Sequence, residues 1–269
     1  MSGNSVALVT GASSGIGRAT AERFAGAGYR VFGTSRRPAT VRPLSGVTFL
    51  PLDVADDASV AACIQAVVEQ SGRLDVLVNN AGIAVTGAVE EVPLALALRQ
   101  FETNFFGVIR VTQASLPVMR RQRAGCIVNI GSIAGLVPIP FAGLYSASKY
   151  AIRGLTEALR DEVAHLGIRV ALLEPGFFKS DLVGEAAGSD HSIDDYRTVG
   201  TRVLERVRSI EAAAPPPTAV ADTVLRVAQH PAPPLRNPVG KEKLFATLKR
   251  FLPAAMFEPQ ARKYWRLSV

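Results

Sequence analysis

Thr10-Gly11-Ala12-Ser13-Ser14-Gly15-Ile16-Gly17 closes a short apolar run, Ser5–Thr10, and leads at once into a helical pattern near Gly15–Gly28. Glycines let a backbone turn sharply and approach a pyrophosphate closely, while a helix N-terminus offers free N–H groups and a positive dipole end. Strand, glycine-rich turn and helix in immediate succession therefore read as a phosphate cradle. The spacing G-x-x-x-G-x-G departs from the general dinucleotide pattern G-x-G-x-x-G, and a glycine-rich turn taken alone can be purely structural.

Outward from this turn, short apolar runs alternate with longer helical patterns. Further strands are expected at Arg30–Ser35, Val47–Asp53, Leu74–Asn79, Gly125–Gly131 and Ile168–Glu174, with a weaker one at Leu235–Val239. Helices are expected near Ala58–Ser71, Leu94–Arg123 (bent near Pro117), Tyr145–His165 and Thr218–His230. The rhythm implies an α/β fold, a Rossmann-like doubly wound parallel sheet of about seven strands with helices on both faces. Residues 1–269 are read as one dinucleotide-binding catalytic domain. Ser180–Ala214 breaks the rhythm, with Val199, Val203, Val207 and Ile210 at near-helical spacing, and reads as a substrate lid beyond the strand ends.

The composition, 48% hydrophobic and 20% charged over 269 residues, is that of a globular protein. The net charge of +7 is concentrated at one end: from Arg236 onward stand eight Lys and Arg against two Glu. The main body shows no basic stripe, which argues against a nucleic-acid partner. Cys63 and Cys126 are isolated in apolar surroundings and read as small core residues. No secretory pattern or membrane-spanning run is visible, so a cytoplasmic location is expected. No His, Cys and carboxylate set has metal-site spacing, and His165, His191 and His230 read as surface residues.

Taken together with the residues C-terminal to it, the T-G-x-x-x-G-x-G turn resembles the single-domain branch of the short-chain dehydrogenase/reductase family. Further matches fall in order along residues 5–180. The resemblance implies that Gly11, Ser13, Ser14, Gly15, Ile16 and Gly17 cradle the pyrophosphate of a nicotinamide dinucleotide. It implies that Asp53 and Val54 meet the adenine, and that Asn80, Ala81 and Gly82 close the fourth strand beside the cofactor. Pro175, Gly176 and Phe178 would face the nicotinamide. The family usually carries Thr four residues after that Gly, and here the position is Ser180. The second strand ends in Ser35-Arg36-Arg37 rather than in an acid. Two guanidiniums suit a 2′-phosphate, so NADP(H) is favoured over NAD(H); a solvated basic loop is the alternative.

Interconverting an alcohol and a carbonyl needs a proton donor or acceptor beside the oxygen and groups that hold it. Tyr145 and Lys149, four residues apart, share a helical face, and a nearby ammonium is expected to lower the tyrosine pKa. By resemblance, Ser132 orients the substrate oxygen, Tyr145 is the general acid/base, and Lys149 also holds the nicotinamide ribose. Asn104 matches the family's asparagine behind a proton-relay water. A non-catalytic NADP(H) sensor or scaffold is the rival reading, and it would be expected to lose members of this set.

The substrate is expected to be a bulky, apolar alcohol or carbonyl, of lipid, steroid or retinoid character. Leu136–Phe141 fills the loop between Ser132 and Tyr145 without a single charge, Phe177 and Phe178 follow the nicotinamide contact, and Leu182 and Val183 open the lid. Only Lys179 and the lid arginines could meet an anionic substrate. Lys241–Leu252 reads as an amphipathic helix, with Leu244, Phe245, Leu248, Phe251 and Leu252 opposite Lys243, Lys249 and Arg250. The basic segment 236–269 has three readings: packing on the domain or on a second subunit of a homodimer or homotetramer, walling an apolar pocket, or peripheral contact with an anionic membrane.

Overall fold

The computed structural model describes residues 5–179, 187–188 and 193–267. Ser180, Leu182, Val183 and His191 lie outside the described residues, as does the Arg250 side chain.

The chain runs β1 (Val6–Val9), α1 (Gly15–Gly26), β2 (Arg30–Ser35), β3 (Val47–Pro51), α2 (Asp57–Ser71), β4 (Val76–Asn79), β5 (Val85–Thr86), α3 (Leu94–Phe101) and α4 (Gly107–Gln122). It continues through β6 (Gly125–Ile130), α5 (Gly143–Ala164), β7 (Ile168–Pro175), β8 (Ala187–Gly188), α6 (Asp194–Ala212), α7 (Thr218–Gln229), β9 (Arg236–Val239), α8 (Lys243–Phe251) and α9 (Ala254–Tyr264). Seven strands form one parallel sheet in the order β3-β2-β1-β4-β6-β7-β9. The order reverses between β1 and β4, and ligands of such sheets bind at that switch point, beyond the carboxyl ends of the strands.

Both faces of the sheet are covered, which explains why its strands are apolar runs rather than alternating ones. Successive side chains still divide between the faces. Leu8, Leu77 and Ile127 join Val67, Val111 and Leu159 of α2, α4 and α5. Their neighbours Val9, Val78 and Val128 join Phe24 of α1 and Val224 of α7. The inner strands also carry a buried polar ladder. Asn79 donates to Asn129 Oδ1 at 2.9 Å and to Thr112 Oγ1 at 3.1 Å, and Asn129 donates to Thr156 Oγ1 at 2.9 Å. The outer strand β9 is clamped to β7 by Arg236, which donates to both oxygens of the buried Glu174 at 2.8 and 3.0 Å.

One helix departs from the pattern expected of it. Pro117 lies inside α4, and the stretch from Leu94 is broken earlier, by a π-helical turn at Glu102–Phe106. The widened turn brings Asn104 inward, where its side chain accepts from Ile83 N at 2.8 Å and donates to Ile83 O at 2.9 Å. Such turns concentrate near functional sites.

Candidate active site

The turn after β1 is shaped by backbone that only glycine serves well. Gly11 and Gly15 have positive φ, 63° and 52°, and a Cβ on Gly17 would sit 2.2 Å from the Gly11 carbonyl oxygen. That space is taken by Asn80 after β4, whose Nδ2 donates to Thr10 O at 2.9 Å and Gly11 O at 3.0 Å. In return, Thr10 Oγ1 accepts the N–H groups of Asn80 and Ala81 at 2.9 and 3.0 Å. The two strand ends on either side of the switch point are thus laced together. The free N–H groups at the start of α1 face the cavity beside them.

That cavity, of about 530 Å³, runs from Ser13, Ser14, Gly15, Ile16 and Arg36 past Asp53, Val54, Asn80, Ala81 and Gly82 to Pro175, Gly176 and Phe178. Gly11 also lines it, while Gly17 is packed beneath. Arg37 is exposed, does not line the cavity, and spends its N–H on Ser35 Oγ at 3.2 Å. Of the two arginines, only Arg36 is brought to the cradle. A cradle walled by glycine, open at a helix N-terminus and flanked by a guanidinium fits a dinucleotide pyrophosphate.

Ser132, Tyr145 and Lys149 converge on the same cavity. Ser132 follows β6 and caps the 3-10 turn Ile133–Gly135 by accepting from Ala134 N at 3.1 Å. Burial pushes the Tyr145 hydroxyl up to about 12, with a Ser132 hydrogen bond pulling the other way and the Glu211 charge adding to the rise. The expected lowering by Lys149 is absent. The buried ammonium donates to Ile130 O at 3.0 Å, and burial takes its own pKa down to about 8. Asn104 does not reach the cavity. Its Nδ2 donates to Ser148 Oγ at 3.1 Å, and Ser148 donates to Tyr145 O at 2.7 Å. It therefore braces the start of α5 from behind.

Beyond Tyr145 the walls are apolar: Ile133, Ile139, Pro140, Ala142, Phe177, Leu204 and Val207. Only part of the loop before Tyr145 borders the cavity as expected. Leu136, Val137 and Phe141 do not, and the Phe141 ring packs instead on Gly200 and Tyr196. Behind this wall packs the C-terminal segment. Trp265 is buried in a cluster with Ala134, Ile139, Ala142, Val207 and Ile210, and its ring meets that of Phe177 at 6.5 Å. Trp265 does not itself line the cavity; it packs on the domain behind wall residues such as Ile139, Ala142 and Val207. The apolar face of α8 packs only in part: the Phe245 ring meets that of Tyr264 at 4.7 Å, while Leu244 is 61% exposed.

Sequence reasoning missed two charged groups at this end, Arg99 and Glu211, and had Arg208 only among the lid arginines. A signal existed on α6. Leu204, Val207, Arg208 and Glu211 follow the i, i+3, i+4, i+7 spacing of one helical stripe, beside the stripe of Val203 and Ile210. Lys179 faces an adjoining groove with Arg18 and Glu22.

Among known proteins, residues 5–190 match the short chain dehydrogenase family. A 3-ketodihydrosphingosine reductase of Bacteroides thetaiotaomicron is 36% identical, over 97% of this chain and 98% of its own. A short-chain dehydrogenase from Streptomyces avermitilis superposes with a TM-score of 0.83 at 35% identity, covering 98% of this chain and 97% of its own. A short chain dehydrogenase/reductase of Burkholderia phymatum, solved in complex with NAD, gives 0.80 at 28% identity, covering 96% and 95%.

Proposed function

This chain belongs to the short-chain dehydrogenase/reductase family of oxidoreductases, and from that premise we propose that it interconverts a secondary alcohol and a ketone or aldehyde on a bulky, lipid-like substrate, with NADP(H) favoured over NAD(H). The observation that carries the reading is a single cavity with a glycine cradle at one end, Ser132, Tyr145 and Lys149 in the middle and apolar walls beyond. A sensor without turnover would have no use for that middle.

Gly11 and Ser13–Ile16 would hold the pyrophosphate, Asp53 and Val54 the adenine end, and Lys149 the ribose of the nicotinamide. When bound, that cofactor supplies or accepts the hydride. The rest is the work of the chain's own residues. Ser132 orients the substrate oxygen through its hydroxyl. Tyr145, whose proton is held tightly by burial, gives it to the carbonyl oxygen in the reducing direction and takes it back in the other. Lys149 stands beside the tyrosine ring, anchored to the Ile130 carbonyl. Pro175, Phe177 and the wall that Trp265 backs exclude water from the reacting atoms.

Arg36 supports the NADP(H) preference, and the relative named for 3-ketodihydrosphingosine, a long-chain ketone, supports the lipid-like class. A panel of short and long carbonyls, followed by nicotinamide absorbance with both cofactors, tests the reading. We expect kcat/KM to rise with chain length by up to about 0.8 kcal/mol per buried CH₂; a flat profile, or preference for short polar carbonyls, counts against it.

A further inference from the structure

The helices α8 and α9 present a surface that the cavity chemistry does not use. In an α-helix each residue is turned about 100° from the one before it, so neighbouring positions mark neighbouring stripes. On α8 the inward stripe is Phe245 and Lys249. The Phe245 ring meets that of Tyr264, and Lys249 donates to the Leu136 carbonyl oxygen and, at 2.9 Å, to the Tyr150 hydroxyl. One position back lies the stripe of Leu244 and Leu248, which are 61% and 37% exposed. One position further back stands Lys243, also exposed. The α9 helix repeats the arrangement. Phe257 and Trp265 anchor it inward, while Met256, one position before Phe257, is 60% exposed and shares its face with the exposed Lys263. Leu136 follows Ser132 by four positions and Trp265 backs the cavity wall, so both helices are fixed to the site.

The charges around this surface are nearly all of one sign. Among the described residues from 240 onward, Lys241, Lys243, Arg262, Lys263 and Arg266 are exposed, against one exposed acid, Glu258. An occupant must therefore offer an apolar layer and negative charge together. A second copy of this chain offers only the first, because in a two-fold contact the patch meets itself and its cations face cations. An anionic membrane surface offers both, and basic amphipathic helices lie in that interface with their apolar side down. No helix among the described residues is long and apolar enough to cross a membrane; this surface is one that lies on it.

We propose that α8 and α9 form a docking surface for an anionic lipid bilayer, with Leu244, Leu248 and Met256 entering the acyl boundary and Lys243 and Lys263 meeting acidic headgroups. The surface stands apart from the proton and cofactor chemistry, and its test needs no turnover.

That test is co-sedimentation of the full chain with vesicles of phosphatidylcholine alone and with vesicles that also contain phosphatidylglycerol, at low and high salt. We expect partition into the anionic vesicles to be at least tenfold stronger than into the neutral ones, and to weaken as salt rises. Leu244→Asp with Leu248→Asp should reduce it at least tenfold, and so should Lys243→Glu with Lys263→Glu, whereas Lys243→Arg with Lys263→Arg should keep it. Far-ultraviolet circular dichroism should match the parent in all three proteins, since every position is exposed. No partition into anionic vesicles, equal partition into neutral ones, or parental partition in either reversed variant would overturn the proposal. If a variant misfolds, the parent's dependence on lipid charge and salt, together with Met256→Asp, decides. Light scattering without lipid tests the second copy: a dimer that Leu244→Asp with Leu248→Asp splits into monomers would make the face a subunit contact and overturn the membrane assignment.

Discussion

Lys149 stands beside Tyr145 with its ammonium 5.7 Å from the centre of the tyrosine ring, while it donates to the carbonyl oxygen of Ile130 at 3.0 Å. The lysine is therefore anchored to β6, and burial holds the tyrosine proton.

Tyr145→Phe keeps the ring and deletes only the hydroxyl. We expect it to lower kcat at least about a hundredfold, the scale of general acid catalysis, with cofactor affinity little changed. Steady-state turnover beside a fluorescence or calorimetric cofactor titration separates the two. Appreciable activity on a substrate the parent accepts would remove the tyrosine from the mechanism.

Arg36 lines the cradle and Arg37 does not. Arg36→Ala should therefore narrow the preference for NADPH over NADH by about tenfold, or 1.4 kcal/mol, and Arg37→Ala by distinctly less. Because Arg36 is exposed, added salt should weaken NADPH binding in the parent more than in Arg36→Ala. Equal cofactor affinities in the parent at low salt would refute the guanidinium argument.

Glu211 makes stability depend on pH in a direction opposite to most carboxylates. Its folded pKa, about 7, is raised above the ordinary 4.5, so the folded state binds the proton more tightly between those values. Stability contributed by this group is complete below the lower value and is lost as pH rises through the upper. Glu211→Gln should accordingly raise Tm at pH 8, and the gain should vanish near pH 4. A Tm difference that is flat across this range would show the carboxylate to be better solvated than its surroundings imply.

Gly17→Ala places a methyl group 2.2 Å from the Gly11 carbonyl oxygen and 2.4 Å from Asn80 Nδ2. Backbone must move on one side and the Asn80 lacing must open on the other. The expected result is loss of cofactor binding out of proportion to the loss in Tm, measured by calorimetry and thermal melting. Unchanged cofactor affinity would mean that the cradle tolerates reshaping.

Trp265→Ala removes a side chain that is 5% exposed and backs the apolar wall. A loss of about 3–5 kcal/mol is expected, with kcat/KM falling more for long carbonyls than for short ones. Denaturant titration gives the first quantity and a chain-length series the second. An equal fall at all lengths would make the residue a structural prop only.

Strand positions were readable from the sequence because burial on both faces leaves long apolar runs, and Arg30–Ser35 agrees residue for residue. The site was readable where function demands a residue type at fixed spacing, as at Gly11, Gly15 and Gly17 or at Tyr145 and Lys149. Features set by tertiary packing were not. The π-helical turn depends on Asn104 finding Ile83, 21 positions earlier, and nothing local announces that bond. The Tyr145 pKa depends on how much water reaches it, so a rule based on a neighbouring lysine gave the wrong direction. The α9 helix was overlooked because Pro259 interrupts its pattern, although its anchors Phe257 and Trp265 are buried. Glu211 was passed over because a charge beside an apolar stripe usually faces solvent.

Trp265 is the only tryptophan in the 269 residues, and it packs directly behind the wall of the site rather than in the sheet. Its emission is therefore a built-in spectroscopic reporter for that wall alone, whereas far-ultraviolet circular dichroism follows the helices packed around the sheet. Regions of one fold open with different free energies. A red shift of the tryptophan band at a urea concentration that leaves ellipticity intact would catch the wall opening while the cradle still stands. Coincident curves would show wall and cradle melting as one cooperative unit.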